Sequence, residues 1–125
     1  MEPPARARNF GQSLSFALTG LLHAVRSQPN LRIHVTVAAL AVIAGFVLRI
    51  SRVEWAVIAA LIALVIALEL FNTAIEAVVD LASPAFHPLA KAAKDTAAAA
   101  ILVAAVGSVV TGLLIFLPRL WQLIL

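Results

Sequence analysis

The sequence contains no cysteine and few charged residues, and each scarcity excludes a class of protein. Without cysteine the chain can form neither a disulfide framework nor a thiolate metal site. Charged residues make up only 12% of its 125 residues, whereas 63% are hydrophobic. Soluble domains carry about 25% charged residues. A soluble fold of this length could not bury so much apolar surface, so the composition predicts an integral membrane protein.

The apolar residues occur in long runs without strand-like alternation, which favours membrane-spanning helices. The predicted fold class is therefore an all-α membrane protein with an N-terminal interfacial amphipathic helix and three transmembrane helices. Residues 1–12 include Arg6 and Arg8 but show no apolar periodicity, so we expect a disordered basic tail there. Residues 13–125 are expected to form a single membrane domain.

The spacing of apolar residues and the positions of proline predict the helix bounds. Leucines recur at helical spacing over residues 13–27, as in a helix that lies in the membrane interface. Three transmembrane helices are predicted over 31–48, 53–81 and 88–117, the last with a charged extension at its start. Pro118 is expected to mark the far interface, beyond the end of the third helix.

The distribution of lysine and arginine predicts the orientation in the membrane. Three spans place the N-terminus and the connection between the second and third spans on one side. That side carries six basic residues, and the other carries three: Arg6, Arg8, Arg26, Arg32, Lys91 and Lys94 against Arg49, Arg52 and Arg119. Because positive residues collect on the cytoplasmic face, we expect the six-residue side to be cytoplasmic. No basic cluster is interleaved with aromatics, so nucleic acid is not an expected partner.

Polar residues form a stripe on the second predicted span. Glu69, Asn72, Glu76 and Asp80 are separated by three, four and four residues, which places them within roughly 80° of one another on a helix. An ionisable residue at the centre of a span costs at least ~2.5 kcal/mol to insert, so such residues are functional by default. Asp80, near the helix end, also fits an ordinary interfacial residue. Carboxylates on one face need a cation between them, either a divalent ion or basic side chains.

Basic residues gather at the start of the third predicted span. Lys91 and Lys94 share a face there, between His87 and Asp95. Cations near a helix N-terminus oppose the helix dipole, which suggests an anionic partner, either the acidic stripe or a phosphate. Ordinary cytoplasmic anchoring is the alternative. The sequence has no Walker motif, glycine-rich nucleotide loop or kinase catalytic loop, so a phosphate site here would combine carboxylates, a metal ion and lysine.

Two blocks of sequence resemble the prokaryotic diacylglycerol kinase family: E-L-F-N-T-A-I-E-A-V-V-D from Glu69 to Asp80, and H-P-L-A-K-A-A-K-D from His87 to Asp95. The motifs A-x-x-G, which begins at Ala17, and N-x-R-I-H, which begins at Asn30, are also similar to that family. The resemblance covers nearly the whole chain beyond the tail. The ending F-L-P-R-L is more similar to the undecaprenol kinase branch than to the Gram-negative diacylglycerol kinases.

The resemblance implies a homotrimer in the bacterial inner membrane that uses MgATP at cytoplasmic sites shared between subunits. It implies that Glu69 is the general base toward the lipid hydroxyl. The expected nucleotide contacts are Asn72, Glu76, Asp80, His87, Lys91, Lys94, Asp95 and Gln28. Magnesium is expected to bind Glu76 and Gln28. The lipid substrate is expected to contact Glu69, Ala17, Asn30 and Arg32. Membrane lipids are expected to surround the trimer.

One position departs from the family pattern. The family usually has a second metal-binding glutamate two residues before the N-x-R-I-H motif, and this chain has Gln28 there. An amide oxygen can coordinate magnesium but adds no negative charge, so we expect a higher magnesium requirement or impaired catalysis.

Several functions stay open at this point. The leading hypothesis is an ATP-dependent lipid kinase acting on undecaprenol, and the alternative acceptor is diacylglycerol. A catalytically impaired family member that serves as an interaction protein is a further alternative, suggested by Gln28. A small ion-relay membrane protein is the last alternative, since acids within a span can relay ions. It is disfavoured because the acidic residues lie toward one end of their helix.

Overall fold

The computed structural model describes residues 6–125, in which four helices follow one another and no strand is found. They are α1 (Phe10–Ser27), α2 (Pro29–Val47), α3 (Arg52–Ala82) and α4 (Pro88–Ile124). The last three are long and apolar enough to cross a membrane. The predicted all-α membrane fold, with an N-terminal helix and three spans, is confirmed. The first five residues of the predicted tail lie outside the described residues.

Helix α1 begins three residues before its predicted start. The Asn9 side chain accepts a hydrogen bond from the Gln12 amide at 2.9 Å, and the Gln12 side chain accepts one from the Arg8 amide at 2.7 Å. These bonds satisfy amide groups that have no partner within the helix. The prediction of a disordered segment through residue 12 is therefore wrong for residues 10–12. Most apolar side chains of α1 are exposed, and Ala24 is its one buried residue.

The turn between α2 and α3 is held by local hydrogen bonds. Arg49 adopts a left-handed conformation, with φ of 52°, and the Ile50 amide donates to the Gly45 carbonyl at 3.1 Å. This pairing is the Schellman arrangement that commonly ends helices. Ser51 and Glu54 then form a reciprocal capping box, in which each side chain accepts a hydrogen bond from the other residue's backbone amide. The turn thus fixes where α3 begins.

Helix α4 does not end at Leu117 as predicted, because it continues through Pro118 to Ile124. A proline within a helix removes one backbone hydrogen bond but does not always end the helix. Here Arg119 donates to the Ile115 carbonyl at 3.4 Å and to the Glu54 carboxylate at 2.6 Å. Arg119 therefore ties the far end of α4 to the start of α3.

The helices pack around a small core at the end of the bundle opposite the polar stripe. Ile50, Ile58 and Ile115 are buried there, and Trp55 packs against them. Gly45 allows α2 to approach α3 closely, because a Cβ at this position would lie 2.7 Å from the Trp55 ring. Helix α3 packs most extensively against α4. The chain otherwise leaves large apolar side chains exposed along all its helices, as expected of a protein whose solvent is lipid.

Candidate active site

Two polar residues are buried in the part of the chain that the structure describes, and both belong to the polar stripe of α3. Glu69 is 1% exposed and Asn72 is 7% exposed, while Glu76 is partly buried and Asp80 is exposed. The stripe therefore runs from a buried carboxylate to an exposed one over three helical turns. It meets the start of α2 and the start of α4 at the same end of the bundle.

Glu69 lies against a histidine from another helix. The His34 Nε2 atom of α2 is 3.9 Å from Glu69 Oε2. Neither Oε2 of Glu69 nor Oδ1 of Asn72 has a hydrogen-bond partner among residues 6–125. A buried polar oxygen without a partner costs about 1–3 kcal/mol, and more if the group is charged. These two oxygens are therefore free to accept a hydrogen bond from a ligand or to coordinate a cation.

Asn72 and Glu76 are joined one turn further along α3. The Asn72 side-chain amide donates to Glu76 Oε1 at 3.3 Å. This bond uses the amide N–H and fixes the orientation of Asn72, so that its free oxygen points away from Glu76. Thr73, which borders the stripe, donates its hydroxyl to the backbone carbonyl of Glu69 at 2.9 Å.

Asp80 and Lys94 form an ion pair between α3 and α4. The sequence left two anionic partners open for the lysines, and in this structure the partner of Lys94 belongs to the acidic stripe. Lys94 lies in the first turns of α4, ahead of its long apolar stretch. Lys94 donates a hydrogen bond to Asp80, and this bond raises the pKa of Lys94 above its ordinary value, so Lys94 remains a cation. Lys91 pairs with Asp95 along α4.

The other predicted contacts lie around this centre. His87 precedes α4, and its Nδ1 atom accepts a hydrogen bond from the Leu89 amide at 3.1 Å, so it serves as the helix cap. Gln28 joins α1 to α2 and caps α2 with its backbone, which leaves its side chain unused by the cap. Ala17, Asn30 and Arg32 are exposed, and among the described hydrogen bonds none links them to Glu69.

The residues of the stripe fit a magnesium ion bound together with phosphates. Within residues 6–125 no three carboxylate, histidine or cysteine side chains gather closely enough to form a complete metal site. Magnesium does not need one, since it commonly binds one or two carboxylates and takes its other ligands from phosphates and water. The carboxylate of Glu76 is an oxygen ligand of the kind that such an ion prefers, and the unpartnered oxygen of Asn72 on the preceding turn is free to accept a hydrogen bond from a ligand.

An apolar groove of about 410 Å³ runs between α2, α3 and α4 beside the stripe. Val65 and Ile66, one turn before Glu69, line it from α3. Its polar lining residues are His34 and Ser108, and Ser108 donates its hydroxyl to the Ala104 carbonyl at 2.8 Å. The groove therefore offers a hydrocarbon surface that ends at the His34 imidazole.

Two contacts were not predicted from the sequence. His34 was noted only as the last residue of the N-x-R-I-H motif, without a role toward Glu69. A histidine on a predicted span is itself a signal of function, but its partner lies 35 positions away and depends on how α2 packs on α3. The pair between Glu54 and Arg119, at the far end of the bundle, was likewise not foreseen.

Comparison with known proteins supports the family resemblance. The model of a family described as prokaryotic diacylglycerol kinase matches residues 15–116. An undecaprenol kinase of Bacillus subtilis is 47% identical over 111 residues, which cover 89% of this chain and 90% of that relative. A diacylglycerol kinase of Synechocystis is 41% identical, with 94% of this chain and 67% of the relative covered. A diacylglycerol kinase of Pseudomonas aeruginosa is 40% identical over 71% of this chain and 72% of the relative.

Proposed function

This chain belongs to the prokaryotic diacylglycerol kinase family, and we propose that it is a lipid kinase that transfers the γ-phosphoryl group of ATP to the hydroxyl of undecaprenol. The observation that carries the proposal is the buried carboxylate of Glu69, which lies between an apolar groove and a cluster of acidic and basic side chains. A lipid alcohol has the same two parts, a hydrocarbon chain and a polar end that must meet a phosphate.

In the proposed reaction Glu69 accepts the hydroxyl proton while the alcohol oxygen attacks the γ-phosphorus. The bond from that phosphorus to the bridging oxygen breaks, and ADP leaves. General-base catalysis of this kind contributes typically 10²–10⁴-fold. Glu69 is suited to the role because its Oε2 has no other hydrogen bond and is shielded from solvent.

The nucleotide is proposed to bind at the exposed end of the stripe. Lys94 provides a positive charge to its phosphates, with Lys91 one turn before it on α4 and Asp95 next to it. Asn72, Asp80 and His87 would complete the contacts. Glu76 and Gln28 would hold a magnesium ion, which when bound neutralises phosphate charge. Asp80 must release Lys94, at least in part, for a phosphate to approach that ammonium group.

The choice of acceptor rests on the relatives. The name undecaprenol kinase belongs to a relative that is 47% identical, whereas relatives at 41% and 40% are named diacylglycerol kinases. Undecaprenol is therefore the proposed acceptor, and diacylglycerol is the second candidate. Ala17, Asn30 and Arg32 are proposed to contact the lipid near the membrane surface, where their exposure leaves them accessible.

The proposed setting is a homotrimer in the bacterial inner membrane, with the N-terminus and the active site on the cytoplasmic side. The excess of basic residues on that side supports the orientation. The proposed trimer rests on the family to which the chain belongs.

The proposal is tested with purified protein in lipid bilayers, labelled ATP and each candidate alcohol. We expect labelled undecaprenyl phosphate from the wild type and a turnover lower by ~10²-fold or more in Glu69→Gln. Glu54→Gln is the matched control, because it makes the same substitution on the same helix at the far end. It should retain activity near that of the wild type wherever it remains folded.

The outcomes separate the alternatives. Faster turnover with diacylglycerol than with undecaprenol would make diacylglycerol the acceptor, and the protein would still be a lipid kinase. A wild type that phosphorylates no lipid alcohol at any magnesium concentration would overturn the kinase proposal and favour a catalytically impaired family member. Equal activity of Glu69→Gln and wild type would remove Glu69 from the mechanism.

A further inference from the structure

Two polar neighbours of Glu69 on α3 direct hydrogen bonds elsewhere. Thr73 donates its hydroxyl to a backbone carbonyl, and Asn72 donates its amide to Glu76. His34 lies 3.9 Å from the unpartnered Oε2 of Glu69, and its side chain is 22% exposed against 1% for Glu69. The His34 imidazole is therefore well placed to donate to this oxygen of the carboxylate.

The distance itself indicates how the contact works. A separation of 3.9 Å suits a charged pair but is too long for a hydrogen bond. Hydrogen bonds between catalytic groups are often long without substrate and shorten once the substrate is bound. His34 is the sixth residue of α2, so a small movement of this end of the helix or a change of the histidine rotamer would close the gap.

The apolar groove leads to the contact between His34 and Glu69. The hydrocarbon chain of a lipid alcohol that lies in the groove would place its hydroxyl at the end where His34 is found. Ser108, the other polar lining residue, has its hydroxyl bonded to Ala104. The imidazole thus borders both the path of the substrate and the buried carboxylate.

We infer that His34 is a positioning residue, whose imidazole N–H orients the Glu69 carboxylate toward the hydroxyl of the lipid. This inference rests on the proposed function. The proton still passes from the alcohol to Glu69, and His34 neither attacks nor binds the phosphate. Misplacing a reacting group by about 1 Å can cost around 10²-fold in rate, so the loss of such a contact is measurable.

The test compares His34→Leu with His34→Gln in the lipid kinase assay. We expect His34→Leu to lower kcat by roughly 10- to 100-fold, with the KM values for ATP and lipid changed by no more than about twofold. His34→Gln should recover most of kcat, because its amide N–H reaches nearly the position of Nε2. In a Glu69→Gln background, His34→Leu should have no further effect, since residues that act as a unit are not additive.

His23→Leu is the control, because it makes the same substitution at an exposed histidine of α1 that does not line the groove. Its kcat should stay near that of the wild type. A wild-type kcat in His34→Leu would overturn the inference, and so would equal losses in His34→Leu and His34→Gln. If His34→Leu raised only the KM for lipid, His34 would bind the substrate and would not position Glu69. A wild type without kinase activity would overturn the proposed function itself. The results that would overturn only the role of His34 are obtained with an active wild type.

Discussion

At the residue scale, Gln28 is proposed to set the magnesium requirement of the site. It stands between α1 and α2, and its side chain makes no capping hydrogen bond. We expect Gln28→Glu to lower the magnesium concentration for half-maximal activity by several-fold, because a carboxylate adds a charge that an amide lacks. The measurement is a magnesium titration of lipid phosphorylation at saturating ATP.

Gln122→Glu is the matched control, since it adds the same charge to an exposed position near the far end of α4. Its magnesium dependence should equal that of the wild type. An identical titration for Gln28→Glu and wild type, with equal turnover, would mean that residue 28 does not bind the metal.

The residues of the site could be predicted on each helix separately, but their partners could not. Helical periodicity was enough to group Glu69, Asn72 and Glu76 on one face. Which groups meet across helices depends on the rotation and depth of packing, and these arise from contacts such as Gly45 against Trp55. The contact of His34 with Glu69 is of this second kind, and it appears only once α2 is packed against α3.

At the scale of elements, the contact between α2 and α3 depends on the absence of a side chain at Gly45. A Cβ there would lie 2.7 Å and 2.9 Å from two atoms of the Trp55 ring and 3.1 Å from Ile50. The ring also packs against Phe46, at 4.8 Å between centroids. We expect Gly45→Ala to destabilise the fold by about 1–3 kcal/mol, as is typical of overpacking. Reversible unfolding in mixed micelles measures the change.

Gly107→Ala provides the comparison for that experiment. It makes the same substitution within α4, where a Cβ would meet nothing within 4 Å. Alanine favours a helix over glycine by up to about 1 kcal/mol, so this variant should be as stable as the wild type or more so. If both variants unfolded alike, the close approach of α2 to α3 would not be a determinant of stability.

The helix bounds show which sequence rules are reliable for this chain. The spans follow from long apolar runs and were predicted to within a few residues, except at the end of α4. Pro118 was expected to lie beyond the helix because proline usually stops one. It lies inside because the turns on either side of it remain helical, and Arg119 donates to the Ile115 carbonyl and to Glu54 at this end of α4. Helix α1 also begins earlier than predicted, because the Asn9 side chain caps it, whereas the apolar periodicity begins only later.

At the scale of the whole molecule, the charge distribution predicts one orientation in the membrane. Because the chain has no cysteine, single cysteines can report it without interference. We expect Arg52→Cys, at the α2–α3 end, to react with a membrane-impermeant maleimide in intact cells. Ala85→Cys, between α3 and α4, should react only after permeabilisation. Both positions are exposed. The reverse labelling pattern would contradict the predicted cytoplasmic active site.

A second question at this scale is whether one site combines Glu69 of one subunit with Lys94 of a neighbouring subunit. If the subunits of a trimer share their sites, two inactive variants can restore one another. Co-expression of Glu69→Gln with Lys94→Gln should then leave about a quarter of the sites with both native groups, since each half of a site is native in half of the subunits. Lipid phosphorylation in the isolated membranes measures the recovery.

Glu69→Gln co-expressed with Glu69→Ala should recover nothing, because both lesions fall on the same half of every site. If the first pair also stays inactive, each chain uses its own Glu69 with its own Lys94, as the ion pair of Lys94 with Asp80 in the same chain would allow.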